Sequence, residues 1–243
     1  MQGLYKDTLD NRHQLDHWEK KILDQFVKKV TDKNKPFPCI PATIGVSLNQ
    51  MRFGFVGGPK EQSTVEELAG LLRQYTDIAR ELGKYTSLII FYKPLDEKNY
   101  TVEEYEELFW QQLNGLAAVD ESDWPADIPY NPSEPLWEFC FTGERYFMYC
   151  ASPAHVKRRS RHFQTMMLAI TPRWAFKEFF ESIPHADKIK KKIRKRLGNY
   201  DVVPIHPSLK VYGKNDNFEW EQYFLRDDHT SLKECPFHKF RDT

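Results

Sequence analysis

The chain has 243 residues with 35 basic and 35 acidic side chains, so its formal net charge is zero. Total charge therefore does not favour nucleic acid, a membrane surface or an acidic partner. No apolar run approaches the ~20 residues that span a bilayer. Residues 1–10 are polar and lack the apolar core of a signal peptide. We therefore expect a cytoplasmic protein whose four cysteines are reduced thiols and form no disulfide framework.

Three elements are predicted in the first 50 residues. Apolar residues at helical spacing predict a helix over 11–32, capped by Asp10 or Asn11. Prolines stiffen the following segment, 33–41, into an extended loop, because proline fixes its own φ and disfavours helix in the residue before it. A short helix over 42–50 follows the loop.

The next part of the chain alternates strands with long helices. Residues 52–56 predict a strand, 64–82 a helix and 87–92 a buried strand. Thr101, with Glu104 three residues later, forms the capping-box pattern that begins another helix.

Strands cluster in the second half of the chain. Helices are predicted at 174–181 and 188–197, and the tail from 201 mixes extended pieces with turns. Because strands do not alternate regularly with helices, the pattern favours one α+β domain over 1–243, with a mostly antiparallel central sheet and flanking helices. The three predicted strands, of which the first two form a hairpin, are 136–141, 146–150 and 165–170.

The most informative candidate is Cys39, at the end of the stiff loop Phe37-Pro38-Cys39. A helix is predicted just after it, and the dipole at a helix N-terminus stabilises a thiolate, so we expect the pKa of Cys39 to be lowered. A rigid loop also holds a sulfur atom in place, as metal ligation requires. The alternative is a buried structural cysteine. Cys140 and Cys150 lie in apolar strands, and we interpret them as inert core residues.

Two basic segments are ambiguous on their own. Residues 188–196 are dense in Lys and Arg, and an amphipathic helix with a solvated face is preferred over a nucleic-acid site. Residues 155–161 and Arg173 supply arginines, whose planar donors suit carboxylates and phosphates. A surface salt-bridge patch is the alternative for these arginines.

Near the C-terminus, Cys235-Pro236-Phe237 mirrors Phe37-Pro38-Cys39. With these two motifs the chain resembles the YqcI/YcgG family, whose hallmark is an FPC motif near the N-terminus and a CPF motif near the C-terminus. The family motif continues as FPC-x-x-Ala, which Ala42 matches. Further matches, in the same order, are Arg52-Phe53-Gly54-Phe55, Trp124-Pro125, Trp137-Glu138-Phe139-Cys140-Phe141, His155 to Arg161, Pro172-Arg173-Trp174, Tyr200-Asp201, His206-Pro207 and Glu219-Trp220.

Some members of this family are haem-dependent oxygenases that hydroxylate nitrogen. The resemblance therefore implies haem b (iron protoporphyrin IX), with Cys39 as the candidate axial ligand and His155 or His206 as rivals. A thiolate ligand favours O–O cleavage, which N-hydroxylation requires. The further candidates are, for cofactor contacts, Phe37, Pro38, Ala42, His155, Arg158, Arg161 and Arg173, and for substrate contacts, Glu138, Glu144, Asp201 and His206.

The resulting hypothesis is a haem-dependent monooxygenase that N-hydroxylates an amino acid or a guanidine-containing small molecule such as arginine or a derivative. It uses O₂ and an external electron donor, such as a ferredoxin- or flavodoxin-type reductase. No nucleic-acid or membrane partner is expected, and a homodimer is left open. The alternatives are a haem-binding sensor or carrier without turnover, and a thiol-based redox protein that uses Cys39 and Cys235.

Overall fold

The computed structural model describes residues 3–5, 13–95, 100–181, 186–211 and 214–238. Within these ranges a single five-stranded sheet carries helices on its faces. The strands are β1 (Arg52–Val56), β2 (Leu88–Tyr92), β3 (Phe139–Phe141), β4 (Glu144–Ala151) and β5 (Met167–Pro172). The helices are α1 (His17–Thr31), α2 (Ile40–Ser47), α3 (Thr64–Leu82), α4 (Val102–Ala118), α5 (Arg173–Glu181), α6 (Ala186–Tyr200) and α7 (Trp220–Tyr223).

The strand order of the sheet is β1-β2-β5-β4-β3. The strands β1 and β2 are parallel, since α3 crosses over between them, and the other three pairs are antiparallel. The predicted α+β class with a mostly antiparallel sheet is therefore confirmed. The predicted hairpin is also present, but its loop is shorter than 142–145. It consists of Thr142 and Gly143, whose positive φ values of 51° and 70° suit a two-residue turn.

The first helix begins at His17 and not at residue 11. The predicted caps, Asp10 and Asn11, lie outside the described residues. The start of α1 is instead a capping box, in which the Glu19 carboxylate accepts a hydrogen bond from the Asp16 backbone N–H at 2.9 Å. The Asp-x-x-Glu pattern at this point is thus a stronger start signal than the isolated polar residues upstream.

Both faces of the sheet are buried. On one face, Phe53 packs edge-on against Phe26 of α1, with ring centroids 5.7 Å apart. On the other face, Gly54 lies so close to α3 that a Cβ would stand 2.7 Å from Leu71 Cδ1 and 2.8 Å from Ile90 Cδ1. The sheet therefore separates two apolar clusters, one with α1 and one with α3 and α4.

The last part of the chain differs from its prediction in two places. Helix α6 extends beyond the predicted 188–197 at both ends, and Tyr200 is its buried residue. The tail, predicted as extended pieces and turns, also contains the short helix α7. No helix in the described part of the chain combines the length and apolar character needed to cross a bilayer.

Candidate functional site

A cavity of about 110 Å³, partly open to solvent, lies on the α1 side of the sheet. Ligand and cofactor pockets typically occupy ~300–1,000 Å³, so a group of cofactor size would extend beyond this cavity through its open side. Its floor comes from β2, β4 and β5, and its walls come from α1, the α1–α2 loop and α5. The lining is mostly apolar and includes Phe26, Phe37, Ile89, Phe147, Met167 and Phe179.

Cys39 contributes to the wall of this pocket from the N-cap position, immediately before α2. Its backbone is extended, with φ of −74° and ψ of 99°, as expected in the proline-stiffened loop. Phe37 anchors the loop by packing edge-on against Tyr200 at 5.8 Å, and its carbonyl accepts a hydrogen bond from Arg196 Nη1 at 3.3 Å. The loop Phe37-Pro38-Cys39 is thus held from both ends, by α2 and by α6.

A close backbone contact fixes α2 beside the pocket. A Cβ on Gly45 would stand 2.3 Å from the carbonyl oxygen of Tyr85 and 2.8 Å from Met51 Cε. Tyr85 and Met51 both line the pocket. The glycine therefore allows α2, and with it Cys39, to lie directly against the turn that follows α3.

The predicted lowering of the Cys39 pKa is wrong for this structure. Burial disfavours the charged thiolate and raises the pKa of the Cys39 thiol, and the backbone hydrogen bond from Ala42 offsets this only in part. The prediction considered the helix N-terminus but not the apolar surroundings, which the sequence alone does not give. Cys39 is accordingly a protonated thiol unless a cation binds its sulfur.

One side of the pocket is polar. The hydroxyl of Ser87, one residue before β2, lies 2.7 Å from that of Thr171 in β5, and Lys84 adds an ammonium group to the lining. Tyr149 also lines the pocket, and its hydroxyl donates to the Ser160 carbonyl. No Asp or Glu lines the pocket among the residues that the structure describes.

Arg158 and Arg161, the predicted propionate contacts, are buried and donate to backbone carbonyls. Arg158 donates to the carbonyls of Arg226 and Asp228, at 2.8 Å each. Arg161 has three such bonds, to carbonyls of Cys150, Gln222 and Tyr223 at 2.7–3.2 Å. Its guanidinium carbon also lies 4.0 Å from the Tyr149 ring centroid, behind the pocket wall. These contacts explain both arginines as links between the C-terminal segment and the sheet, and they lend no support to a propionate contact.

The rival ligands His155 and His206 are buried and hydrogen-bonded through both ring nitrogens. His155 pairs with the Ser152 hydroxyl at 2.8 Å and with the Leu225 carbonyl at 2.9 Å. His206 contacts the Thr230 carbonyl at 3.3 Å and the Ser208 backbone N–H at 3.2 Å. Burial lowers the pKa of each imidazole to about 4. Neither residue lines the pocket.

The predicted substrate acids also lie away from the pocket lining. Glu144 pairs with Arg80 at the surface, at 3.0 Å. Asp201 accepts hydrogen bonds from both the backbone N–H and the hydroxyl of Ser160, at 2.6 and 2.9 Å. These two carboxylates are therefore engaged in holding the chain together.

Glu138 shares the Arg173 guanidinium with Glu219, which lies in a family-matched segment but was not a predicted site residue. Arg173 Nε lies 2.5 Å from Glu138 Oε1, and Arg173 Nη1 lies 3.0 Å from Glu219 Oε1. Burial raises the pKa of Glu219 to about 7, against the opposing effect of Arg173. The structure thus brings Glu138 and Arg173 together with each other and not with the pocket.

The two mirrored motifs have different surroundings. Cys235 and Phe237 belong to the cluster on the α3 and α4 side of the sheet, opposite the pocket. Phe237 packs against the rings of Trp137 and Phe139, at 5.3 and 5.8 Å. Cys39 and Cys235 therefore do not meet, and the CPF motif anchors the C-terminal segment.

The other two cysteines, Cys140 and Cys150, are buried in β3 and β4, and burial raises the pKa of each thiol. Their interpretation as inert core residues agrees with this placement.

Comparison with known proteins places the chain in a family. The YqcI/YcgG family model matches residues 24–238. The chain is 47% identical over 227 residues to "Uncharacterized protein YqcI" of Bacillus subtilis (strain 168), covering 93% of this chain and 89% of that protein. It is 43% identical over 239 residues to "Uncharacterized protein YcgG" of the same strain, covering 97% and 94%.

A more distant relative carries a functional name. It is "Putative N(omega)-hydroxy-L-arginine synthase DcsA" of Streptomyces lavendulae, 29% identical over 229 residues, covering 92% of this chain and 85% of that protein. No solved structure matches the chain. The mirrored FPC and CPF motifs, the shorter matches between them and the family model all agree, and the chain belongs to the YqcI/YcgG family.

Proposed function

We propose that this protein is a haem-dependent oxygenase that hydroxylates a nitrogen atom of an amino acid or a guanidine-bearing small molecule. The observation that carries the proposal is the position of Cys39, a thiol in the wall of a partly open and mostly apolar pocket. The name of the distant Streptomyces relative supports the same type of reaction, N-oxygenation.

The chemistry of the residues around Cys39 suits a haem held by a thiolate, although the cavity would enclose only part of it. Phe37 and Pro38 stiffen the approach to the sulfur, and the Ala42 backbone N–H donates to it. In the free chain, burial of a charged thiolate is unfavourable, and this raises the pKa of Cys39. An iron cation would take the place of the thiol proton and stabilise the thiolate, so the unfavourable charge would no longer be unpaired. The aromatic and aliphatic walls would contact the porphyrin and keep water out. When bound, such a haem supplies the activation of O₂.

The polar side of the pocket would orient the substrate. The hydroxyls of Ser87 and Thr171 can each donate or accept a hydrogen bond, so they suit the N–H groups and lone pairs of a substrate amine or guanidine. Lys84 brings the charge that a carboxylate, of the substrate or of the porphyrin, requires. These three residues replace Glu138, Glu144, Asp201 and His206 as our candidates for substrate binding.

The reaction requires electrons from outside the chain. One oxygen atom of O₂ enters the N–H bond and the other becomes water, which consumes two electrons and two protons. The alternative of a haem-binding sensor or carrier keeps the same cysteine but consumes no reductant. The alternative of a dithiol redox protein is weakened by Cys39 and Cys235 lying on opposite sides of the sheet.

The first test is the absorption spectrum of protein produced with a haem precursor, reduced under CO. We expect the strongly red-shifted Soret band that marks a thiolate ligand. Cys39→Ala should abolish haem retention or remove that shift. The matched control is Cys140→Ala, a buried cysteine away from the pocket, which should keep the spectrum and lose roughly 1–2 kcal/mol of stability.

The outcomes separate the hypotheses. An unaltered spectrum in Cys39→Ala would exclude the thiolate ligand and return attention to the histidines. If the protein binds haem but converts no amine or guanidine when reductant is supplied, the hypothesis of a haem-binding sensor or carrier would be favoured. The absence of any Soret band after reconstitution would end the oxygenase proposal.

A further inference from the structure

The cavity beside Cys39 is smaller than the cofactor that the proposed function assigns to it. Its volume of about 110 Å³ lies below the ~300–1,000 Å³ of typical ligand and cofactor pockets. Protein interiors are close-packed, so a haem cannot be enclosed by small adjustments of many side chains. At least one wall of the cavity must therefore move before such a group is enclosed.

Three walls of the cavity are held in place. The floor strands β2, β4 and β5 are hydrogen-bonded to neighbouring strands of the sheet. On α1, Phe26 packs against three core rings, at centroid distances of 5.7, 5.7 and 6.3 Å. The loop Phe37-Pro38-Cys39 is bound to α6, and the close approach of Gly45 places α2 directly against the Tyr85 backbone. These walls therefore form a rigid frame.

The next wall of the cavity is α5, which contributes Phe176 and Phe179 to the lining. Phe176 packs edge-on against Phe147 at 5.5 Å, and Phe179 packs edge-on against Tyr85 at 5.6 Å. In the described part of the chain, no backbone hydrogen bond joins residues 174–179 to another element. The two phenyl rings thus cover the cavity through side-chain contacts, which can separate without breaking the sheet.

The first residue of α5 is anchored. Arg173 Nε lies 2.5 Å from Glu138 Oε1, and Arg173 Nη1 lies 3.0 Å from Glu219 Oε1. The preceding residue, Pro172, ends β5 and is paired with β4. Phe179 lies six residues further along the helix, or ~9 Å, so a rotation of about 30° at the anchored end displaces Phe179 by roughly 5 Å. The anchored end is therefore suited to be a hinge.

We propose that α5 is a lid on the cavity, hinged at Arg173, and that its outward rotation carries Phe176 and Phe179 out of the cavity to admit the haem. This inference rests on the proposed function, which requires the enlarged cavity. In the open position the space of the two rings joins the cavity, and Cys39 becomes accessible from solvent. Hinged elements of this kind commonly control the entry of ligands to enzyme sites.

The test measures how Cys39 reacts with thiol reagents in the haem-free protein. Iodoacetamide and iodoacetamidofluorescein share one chemistry and differ greatly in size. Each rate is measured at Cys39 by peptide mass spectrometry and divided by the rate of the same reagent with N-acetylcysteine. If Cys39 is reached only when the lid opens, both reagents meet the same open state, and the two ratios should agree within about fivefold.

The lid variant is Phe179→Ala, which removes a ring that holds the lid closed. We expect it to speed the labelling of Cys39 by at least about tenfold with both reagents, and to speed haem uptake by a similar factor. The matched control is Phe237→Ala, an equal truncation of a buried ring on the opposite side of the sheet. It should change the labelling rates by less than about twofold, because it leaves the contacts of α5 intact.

Several results would overturn the lid. A ratio for iodoacetamide more than about fivefold above that for the bulky reagent would mean that Cys39 is reached through a fixed opening. Acceleration of the bulky reagent alone by Phe179→Ala would mean that a fixed opening had been widened, and no acceleration would mean that the ring holds nothing closed. Equal acceleration by Phe237→Ala would mean that Cys39 is reached by unfolding of the whole chain.

The outcomes also separate the lid from the proposed function. If Phe179→Ala does not fold, the comparison of the two reagents on the unaltered protein still decides between a lid and a fixed opening. The labelling requires no haem. Equal ratios in a protein that never takes up haem would therefore refute the proposed function and leave the lid.

Discussion

Substitution of Gly45 by Ala is expected to disturb the pocket indirectly, because the added methyl group would push α2 away from the Tyr85 backbone. The new Cβ would stand 2.3 Å from the Tyr85 carbonyl oxygen, which belongs to the backbone and cannot rotate away. Overpacking of this type costs up to about 3 kcal/mol, and the better helix propensity of alanine returns about 1 kcal/mol. The expected net loss is therefore up to about 2 kcal/mol, and the full ~2 kcal/mol corresponds to a fall in Tm of roughly 4–8 °C for a chain of this size.

The matched control is Gly70→Ala. Gly70 also lies inside a helix, α3, but a Cβ there would meet no heavy atom within 4 Å. This variant should be more stable than the unaltered protein by about 0.5–1 kcal/mol. Thermal and urea unfolding of both variants measure the difference. If Gly45→Ala is as stable as Gly70→Ala, the close contact between α2 and the Tyr85 turn does not exist as described.

Two further predictions concern the opposite side of the sheet. Burial raises the pKa of Glu219 from 4.5 to about 7, so between these values the folded chain holds a proton that the unfolded chain releases, and stability should fall by up to about 3 kcal/mol as the pH rises. When the free energy of urea unfolding is plotted against pH over this range, the curve of Glu219→Gln should lack this fall, and the curve of exposed Glu234→Gln should keep it. Equal pH dependence in the two variants would mean that Glu219 is not buried beside Arg173. Phe237→Ala should cost about 3–5 kcal/mol with little effect on ligand binding, whereas half-buried Phe37→Ala should cost less and alter the haem spectrum. Equal losses of stability together with equal spectra would refute the division of roles between the two mirrored motifs.

The parts of the fold with strong local signals were predictable. The strand β1 and the helix α3 have the predicted bounds, and α4 begins with the capping box of Thr101 and Glu104. In each case the signal lies within a few residues. The predicted start of α1 was wrong because several polar residues precede the helix and each resembles an N-cap. Only Asp16 and Glu19 have the spacing of a capping box, in which both side chains accept hydrogen bonds from backbone N–H groups at the helix start.

The site was predictable only where its residues are adjacent in sequence. Cys39 could be identified as a candidate because the prolines around it and the helix after it are adjacent in sequence. The direction of the Cys39 pKa shift could not be predicted, because the residues that bury Cys39 lie in strands distant in sequence. Arg158 and Arg161 were predicted to contact a ligand. The carbonyls that they bind could not be foreseen, because these lie more than 40 residues away in sequence or in the strand β4. Ser87 and Thr171 were missed because their 2.7 Å contact depends on the order of the strands.

The side chains that link the C-terminal segment to the sheet also bear on aggregation. The strand β3 covers only the first part of β4, from Glu144 to Tyr146, which would leave the rest of that edge open. Beyond β3, Arg161 donates to the Cys150 carbonyl, and at the last residue that β3 covers the Tyr223 hydroxyl donates to the Tyr146 carbonyl, so side chains extend the cover where the neighbouring strand ends. An uncovered apolar strand edge is a template for pairing with another chain. The C-terminal segment thus helps to cover a strand edge that would otherwise be open to pairing, and we expect variants that detach this segment to become insoluble before they lose other properties.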